Sequence, residues 1–476
     1  MSPTRTFSLV LAVIALACAG LAFRGSGSAA SAGTQPALLT PLWSPRRVPQ
    51  PIVDAVGSQR LQAALDGAIA GTNACFVVDD GGAAIAEHAP DASLVPASTE
   101  KLLTTAAALA VLGPDAHLET RVVATKAPSN GSIDRIWLVG GGDPLLMTPD
   151  FQALREQIPE LRGTPTTSLA ALADSVVAAG VKRIPGGVVG DDSRYEAVRY
   201  LPTWRTSYRT DGEIGPLGAL TVNGGFRAIR PIPVPVDDPA VYAAQELASL
   251  LRDRGVSIGR DATRGTAPAG AVEVAKIPSL AIKDLIGEIL TTSDNLGAEL
   301  LAREIGMHQS RRGTTSAGTQ AITAELGALG LPTTGLALID GSGLDRANRA
   351  TCSLLAATLD LGAQPRFASL WKGLAVAGQS GTLVNSLKGT PLDGVLHAKT
   401  GSLDGVTGLV GIVQHGRSLR FAFVANSGFT DKGGIDLRQA IALIVAGFPD
   451  APPADTLVPA PATSTHGAKS AGSANP

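Results

Sequence analysis

Ser98-Thr99-Glu100-Lys101 runs directly into the apolar segment LLTTAAALAVL at 102–112. That segment contains no Gly or Pro, and its Leu, Ala and Thr content predicts a buried helix. Residues three apart lie on one face of a helix, so Lys101 is expected to reach the hydroxyl of Ser98. The stretch therefore predicts a serine nucleophile with a lysine beside it, held against the core of the fold.

Two more motifs follow in the chain, Ser293-Asp294-Asn295 and Lys399-Thr400-Gly401. Each motif is weak evidence by itself, and a second Ser-x-x-Lys occurs at Ser369-Leu370-Trp371-Lys372. The first Ser-x-x-Lys opens a long apolar run, whereas the second lies beside a Trp and comes after Ser293-Asp294-Asn295. The ordered set of three motifs is what points to serine chemistry.

The residue types in these motifs match the needs of a serine nucleophile. A lysine removes the proton of an alcohol only when burial or a nearby positive charge lowers the pKa of the amine. Lys399 is expected to be that second cation beside Lys101. Ser293 is expected to pass a proton between Lys101 and the leaving nitrogen. Asn295, on the same turn as Ser293, is expected to hydrogen-bond the peptide group of the substrate.

The third motif lies in a predicted strand at 395–403. Alternation along the strand places Lys399 and Gly401 on one face and Thr400 and Ser402 on the other. Such a strand presents a lysine and hydroxyl groups to a substrate carboxylate. The backbone N–H of Ser402, together with that of the nucleophile, is expected to hold an oxyanion.

The spacing and four further motifs narrow the interpretation. About 190 positions separate Lys101 from Ser293, which is room for an additional domain. The same trio of motifs occurs in penicillin-binding proteins and class A β-lactamases. The additional motifs are Gly140-Gly141-Gly142-Asp143-Pro144, Gly190-Asp191-Asp192-Ser193, Ala219-Leu220-Thr221-Val222-Asn223-Gly224-Gly225 and Asp340-Gly341-Ser342-Gly343-Leu344. From about Ala70 to Gly447 the chain resembles the DacB-type D-alanyl-D-alanine carboxypeptidases/endopeptidases, the low-molecular-mass class C penicillin-binding proteins.

The resemblance implies an α+β fold. It implies a β-lactamase/transpeptidase-like domain, an antiparallel sheet flanked by helices, that is interrupted by a mixed α/β insert. The resemblance implies two domains in the insert, and the insert here is short for two. The expected organisation is a signal peptide or signal anchor at 1–32, a Pro/Ser-rich linker at 33–52, the first part of the transpeptidase-like domain at 53–117, the insert at 118–276, the second part at 277–450 and a disordered tail at 451–476.

Hydrophobic patterns predict the main elements of both parts. In the insert they predict strands at 118–125 and 134–139 and helices at 168–179 and 239–254. In the second part they predict helices at 281–290, 296–305 and 435–447 and strands at 406–413 and 419–426.

Asp143 has two interpretations. The resemblance implies that it approaches the side chain of the substrate, where it would pair with the free ammonium of a diaminopimelate-type residue. The alternative is a turn aspartate that bonds its own backbone. Asp340-Gly341-Ser342-Gly343 is interpreted as a tight loop that supports the site.

Other kinds of site find little support in the sequence. The six histidines show no metal-ligand spacing, and there is no Cys-x-x-Cys and no Gly-x-Gly-x-x-Gly, so neither a metal nor an organic cofactor is expected. His397 is interpreted as a partly covered strand residue. A Gly-x-Ser-x-Gly string at 255–259 follows a helical stretch instead of a strand, which argues against an α/β-hydrolase nucleophile.

The N-terminal segment indicates export. Arg5 precedes an apolar run at 7–23 and small residues at 25–33, a pattern typical of a secretory signal that is either cleaved near Ala32 or kept as a membrane tether. The protein is therefore expected to be extracytoplasmic, in the cell envelope and facing the wall. There Cys75 and Cys352 either form a disulfide or remain separate buried thiols. The net charge of −2 gives no indication of nucleic-acid binding.

Together these features predict a serine-type D-Ala-D-Ala carboxypeptidase/D,D-endopeptidase that trims peptidoglycan stem peptides through an acyl-enzyme on Ser98. The resemblance implies that β-lactams inhibit it covalently. One alternative is a β-lactamase or esterase of the same fold, which would differ in how fast water clears the acyl-enzyme. Another is a non-catalytic penicillin-binding wall protein, which would be expected to carry a broken motif.

Overall fold

The computed structural model describes residues 50–415 and 417–449. The predicted signal segment 1–32, residues 33–49 of the predicted linker and the tail 451–476 lie outside the described residues. The first helix begins at Gln50, so it includes the last three residues of the segment predicted as linker. Within the described ranges, no helix combines the length and the hydropathy needed to cross a membrane.

Several helices of the described residues begin at a residue whose side chain caps the first turn. For example, Asp238 accepts hydrogen bonds from the backbone N–H groups of Ala240 and Val241, and Pro239 occupies the first helical position after it. In chain order the helices are α1 (Gln50–Ala68), α2 (Lys101–Val111), α3 (Pro149–Arg155), α4 (Leu169–Ala178), α5 (Ser207–Thr210), α6 (Pro239–Asp253), α7 (Ile282–Thr292), α8 (Asn295–Ser310), α9 (Thr315–Ala328), α10 (Cys352–Asp360), α11 (Ser369–Lys372) and α12 (Asp431–Ala446).

The strands belong to two larger sheets and several short pairs. In chain order they are β1 (Asn73–Asp79), β2 (Ala84–His88), β3 (His117–Ala124), β4 (Ile136–Val139), β5 (Leu146–Met147), β6 (Thr167–Ser168), β7 (Arg183–Ile184), β8 (Val188–Asp191), β9 (Phe226–Ala228), β10 (Val234–Pro235), β11 (Ser257–Ile258), β12 (Thr263–Arg264), β13 (Val272–Ala281), β14 (Ala375–Val376), β15 (Leu396–Leu403), β16 (Val406–His415) and β17 (Arg417–Asn426).

The larger sheet has six strands in the order β14-β15-β16-β17-β1-β2, and each neighbouring pair is antiparallel. Its strands come from both ends of the described chain, because β1 pairs with β17. Alternation divides the core between the two faces. Phe76 and Phe423 pack against α1 and α12, whereas Cys75 and Val424 face α2, α7, α8 and α10. This is the α+β fold that the sequence predicts.

The insert forms a separate five-stranded mixed sheet in the order β12-β8-β4-β3-β13. Helices α4 and α6 cover it with an apolar core that includes Leu172 and Leu247. The chain enters this sheet at His117 and leaves it at Ala281, on the antiparallel pair β3 and β13. The sheet of the insert thus extends past the predicted boundary at 276.

The predicted elements of both parts are present, with ends shifted by a few residues. The serines of the second Ser-x-x-Lys motif and of the Gly-x-Ser-x-Gly string both lie on short elements. Ser369 is in the four-residue helix α11, and Ser257 is in a two-residue strand that follows helix α6. The order helix-then-strand around Ser257 is the reverse of a nucleophile elbow.

A disulfide joins Cys75 on β1 to Cys352 at the start of α10, with a Cα–Cα distance of 5.9 Å. The sequence leaves this pairing open, and the structure settles it in favour of the bond. The two cysteines are separated by 277 positions. The bond therefore ties together the two parts of the domain that the insert separates.

Replacing both cysteines, Cys75→Ser with Cys352→Ser, should lower the free energy of unfolding by about 2–5 kcal/mol, because a cross-link over a long loop restricts the unfolded chain. Denaturant unfolding with and without reductant measures the effect. The wild-type protein should lose stability in reductant, whereas the double variant should not respond. A wild-type midpoint unchanged after verified reduction would contradict the expectation.

Candidate active site

Ser98 lies in a tight turn, Ala97–Glu100, that leads directly into α2. The residue before it, Ala97, has a φ of +47°, a left-handed conformation that costs a non-glycine residue about 1–2 kcal/mol. Such strain persists only when the surrounding structure holds it in place. The turn directs Ser98 into a cavity of about 300 Å³, which Asn295 and Ser402 also line.

Lys101 is the first residue of α2 and is fully buried. Its Nζ lies 2.9 Å from Oγ of Ser98, 2.6 Å from Oδ1 of Asn295 and 2.7 Å from the carbonyl oxygen of Ser342. A charged amine can donate to all three oxygens. A neutral amine can donate to Asn295 and Ser342 and still accept the proton of the Ser98 hydroxyl. The same three contacts thus suit both protonation states.

Burial lowers the pKa of Lys101 to about 8, while the charges of Asp340 and Asp294 act in the opposite direction. Burial, and then the charges of Lys101 and Arg438, hold the pKa of Lys399 well below its usual range. This differs from the sequence-based expectation that Lys399 is the cation that lowers the pKa of Lys101. Burial is the main cause of the lowered pKa of Lys101. The repulsion between the two lysines contributes instead to the lowered pKa of Lys399.

Ser293 and Asp294 are the two residues between α7 and α8. Ser293 ends α7 with a φ of +63°, again left-handed for a non-glycine residue. Its Oγ accepts a hydrogen bond of 2.8 Å from Nζ of Lys399, which also donates to the carbonyl oxygen of Thr400 at 2.9 Å. The site therefore contains two serine–lysine pairs, one from α2 and one shared between α7 and β15.

Asn295 is the first residue of α8, and both ends of its side-chain amide are engaged. Oδ1 accepts from Lys101, and Nδ2 donates to the carbonyl oxygen of Glu213 at 2.8 Å. Glu213 belongs to the insert. A carbonyl of the insert therefore fixes which end of the amide faces the lysine, a relation that the sequence does not reveal because backbone groups have no sequence signature.

Strand β15 brings Thr400, Gly401 and Ser402 to the site. Oγ1 of Thr400 donates to Oγ1 of Thr382 at 3.0 Å. At position 401, a Cβ would lie 2.8 Å from the carbonyl oxygen of Pro96, so this contact with the turn of the nucleophile requires glycine. Ser402 lines the cavity beside Ser98.

Sequence reasoning missed Arg438, which lies on α12 behind β15. Its Nη1 donates to Oγ of Ser402 at 2.6 Å, and burial lowers the pKa of its guanidinium to about 10. Its charge also lowers the pKa of Lys399. The signal in the sequence is one arginine within a helix that is otherwise predicted only to close the fold.

Glu100, beside Lys101, is fully buried, and neither of its carboxylate oxygens has a hydrogen-bond partner among the described residues. Burial, followed by the charge of Asp340, raises its pKa well above the usual range. Burial thus favours the neutral form of Glu100, whereas a negative charge on its carboxylate raises the pKa of Lys101.

Asp143 lies in the turn between β4 and β5, and its side chain is almost fully buried. Its Oδ1 accepts from the backbone N–H of Leu145 at 2.9 Å, and burial raises its pKa to about 6. It does not line the cavity around Ser98. The geometry favours the turn interpretation over contact with substrate. His397 is half-buried on β15, as interpreted from the sequence, and burial lowers its pKa.

The family of the chain is shown by comparison with known proteins. The sequence profile of the D-Ala-D-Ala carboxypeptidase 3 (S13) family matches residues 58–233 and 227–447. The chain belongs to this family.

Curated relatives cover most of the chain. It is 31% identical to the carboxypeptidase DacB of Mycolicibacterium smegmatis over 455 residues, 90% of this chain and 94% of the relative. It is 34% identical to a carboxypeptidase of Mycobacterium tuberculosis over 71% of this chain and 72% of the relative. The crystal structure of penicillin-binding protein 4 (dacB) from Haemophilus influenzae matches its fold with a TM-score of 0.66 at 22% identity, over 80% of this chain and 98% of that one.

If Asp143 acts in its turn, Asp143→Asn should keep the acceptor for Leu145 and leave kcat/KM for D-alanine release within about twofold of wild type. Asp143→Ala removes the acceptor and should lower the free energy of unfolding by about 1–3 kcal/mol. Peptides with and without an amine on the third residue test both variants. A loss in the Asn variant confined to amine-bearing peptides would show that the carboxylate contacts substrate.

Proposed function

We propose that this protein is a serine-type D-Ala-D-Ala carboxypeptidase/D,D-endopeptidase that acts on peptidoglycan stem peptides. The observation that carries the proposal is the 2.9 Å contact between Nζ of Lys101 and Oγ of Ser98 at the wall of a cavity. Membership of the S13 family supports the substrate class.

In the first half of the reaction, neutral Lys101 takes the hydroxyl proton of Ser98, and Oγ attacks the carbonyl between two D-alanines. A pKa near 8 leaves part of the lysine neutral at physiological pH, which suits a general base. The backbone N–H groups of Ser98 and Ser402 are proposed to hold the oxyanion, which is supported by the position of both residues at the cavity.

The leaving amine needs a proton as its C–N bond breaks. Ser293 is proposed to relay the proton held by Lys101 to the amine of the terminal D-alanine, because its hydroxyl accepts a hydrogen bond from Lys399, which the charge of Lys101 influences. The products of this step are free D-alanine and an ester between the shortened peptide and Ser98. Water then attacks the ester, and the same groups move the protons in reverse.

Substrate contacts are assigned to β15 and α8. Lys399 and Thr400 are proposed to attract the carboxylate of the terminal D-alanine. Gly401 and Ser402 offer the edge of a strand on which an extended peptide can pair. Asn295 is proposed to act mainly by aligning Lys101, with its amide also within reach of the peptide.

β-Lactams are proposed as covalent inhibitors of Ser98. Attack on a β-lactam carbonyl opens the ring, and the amine stays attached to the acyl group instead of leaving. A group that stays in the cavity hinders the approach of water to the ester. A penicillin-binding protein 4 of Haemophilus influenzae has been solved in complex with a β-lactam, and it shares the fold of this chain with a TM-score of 0.62.

The site of action is proposed to be extracytoplasmic, in the cell envelope, with the N-terminal segment acting either as a cleaved signal or as a membrane tether. The apolar run at 7–23 supports export. The disulfide between Cys75 and Cys352 also supports it, because such bonds persist in oxidising compartments.

Ser98→Ala should abolish covalent labelling by a fluorescent penicillin and the release of D-alanine from a D-alanyl-D-alanine peptide. Ser369→Ala is the matched control, since Ser369 also stands three residues before a lysine but lies in α11. The control should label and turn over like the wild type. Intact mass shows one adduct on the active forms.

Labelling that survives in Ser98→Ala would contradict the assignment of the nucleophile. The lifetime of the label on the wild-type protein tests the type of enzyme, because an adduct lost within seconds indicates a β-lactamase. Labelling without any D-alanine release would indicate a non-catalytic penicillin-binding protein.

The rate constant for acylation should rise about tenfold per pH unit below pH 8 and level off above it, because Lys101 must be neutral to accept the proton and its pKa is about 8. Stopped-flow labelling across the pH range measures it, with tryptophan fluorescence as a check that the protein stays folded. A rate constant that does not change with pH below 8 would contradict the role of Lys101 as base.

A further inference from the structure

A segment of the insert packs directly against the catalytic part of the chain. Trp204 lies just before helix α5, and Tyr208 lies in it. The two side chains form an apolar cluster with Leu217, Leu300 and Leu344. Leu300 is on α8, and Leu344 follows the Asp340-Gly341-Ser342-Gly343 stretch. The insert thus reaches the two elements that supply Asn295 and the carbonyl of Ser342 to Lys101.

Hydrogen bonds also cross this apolar contact, and one of them joins Oη of Tyr208 to the carbonyl oxygen of Leu344 at 3.3 Å. Nε1 of Trp204 donates to Oδ2 of Asp340 at 2.8 Å, and both side chains are buried. The carboxylate of Asp340 also accepts from the backbone N–H groups of Gly343 and Asp345 and from the side chain of Asn348. Asp340 is therefore the centre of the loop 340–345, and Trp204 is its partner from the insert.

This loop lies beneath the nucleophile and its base. The carbonyl oxygen of Ser342 accepts from Nζ of Lys101 at 2.7 Å, and the carbonyl oxygen of Gly341 accepts from Oγ1 of Thr104 one turn further along α2. Gly343 has a φ of +83°, and a Cβ there would overlap the carbonyl oxygen of Ala97. A shift of the loop would consequently move both Lys101 and the turn that carries Ser98.

We propose that Trp204 of the insert is a positioning residue for the catalytic base, acting through Asp340 and the loop 340–345 on Lys101. The indole N–H holds the Asp340 carboxylate, the carboxylate holds the loop, and the loop carbonyl holds the lysine. The insert is thereby part of the catalytic machinery, although Trp204 itself is not expected to touch substrate.

Loss of the indole N–H of Trp204 should change the pKa of Lys101 in one direction. Burial raises the pKa of Asp340, and the hydrogen bonds from Asn348 and Trp204 oppose that rise. The negative charge of Asp340 in turn raises the pKa of Lys101 against the effect of burial. Loss of the indole N–H makes Asp340 less ionised. The pKa of Lys101 should then fall further.

Other charged or titratable groups near Lys101 and Asp340 come from the neighbouring elements, and none of them bonds to the indole. They are Glu100 beside the nucleophile, Asp294 and Glu299 at α8, Lys399 on β15, Glu213 and Tyr208 in the insert, and Asp345 in the loop. A change in the pH profile of a variant that lacks the indole N–H therefore reports on Asp340.

Trp204→Phe tests the proposal, because phenylalanine keeps an aromatic ring and lacks the N–H. Trp371→Phe is the matched control: its Nε1 also donates a hydrogen bond, in this case to the backbone oxygen of Leu359 in the contact between α11 and α10. The acylation rate constant at saturating fluorescent penicillin is measured as a function of pH for the purified full chain. Trp204→Phe should reduce the plateau rate constant about tenfold and move the midpoint of the profile to lower pH, with the half-saturating concentration unchanged. The control should match the wild type.

A double-mutant cycle with Asp340→Asn separates positioning from a general loss of packing. Because Trp204 acts through Asp340, the double variant Trp204→Phe with Asp340→Asn should acylate at the same rate as Asp340→Asn alone. Effects that multiply in the double variant would overturn the proposal. So would a Trp204→Phe profile with the same plateau and midpoint as Trp371→Phe.

The inference rests on the proposed acylation of Ser98, and the two can fail separately. Wild-type protein that does not label contradicts the proposed function. Wild-type protein that labels normally, beside a Trp204→Phe variant that labels equally well at every pH, contradicts only the role of Trp204.

Discussion

A lysine without access to water must find other partners for its amine, and this requirement organises the catalytic part of the molecule. Lys101 has three such partners: the hydroxyl of Ser98 in the preceding turn, the amide oxygen of Asn295 at the start of α8 and the carbonyl of Ser342 in a distant loop. A buried amine that loses one acceptor is strongly destabilised. Hydrogen bonds to one nitrogen therefore fix the positions of the turn, the helix and the loop relative to one another. This arrangement keeps Ala97 in its left-handed conformation.

The insert contributes to the same arrangement. The carbonyl of Glu213 fixes the orientation of the Asn295 amide, and Trp204 bonds the loop that carries Ser342. Two of the three partners of Lys101 are thus supported from residues 118–276. The insert therefore does more than extend the surface of the molecule. Its apolar residues also pack closely against Leu344 in the loop.

The sequence predicts the parts of this design that follow from short spacings. Ser98 and Lys101 are three apart and precede an apolar run, so helix geometry alone brings them together. Alternation predicts the strand that carries Lys399. Contacts between distant residues leave no such trace: the Cys75–Cys352 pairing spans 277 positions and stays open from sequence, and the carbonyl of Glu213 has no signature at all. The sequence does not distinguish Arg438 from other arginines in helices, because only the packing of α12 behind β15 brings it to the site.

Two buried lysines lie in one site, and both charge and distance favour Lys101 as the proposed base. A general base works best when its pKa is close to the working pH. Lys101 meets this condition, with a pKa of about 8 and a direct bond to Ser98, because nearby carboxylates such as Asp340 limit the effect of burial. Burial, followed by the charges of Lys101 and Arg438, holds the pKa of Lys399 well below its usual range. Its hydrogen bond to Ser293 instead suits proton transfer to the leaving group. The acidic surroundings of Lys101 and the basic surroundings of Lys399 thus suit the two different roles proposed for them.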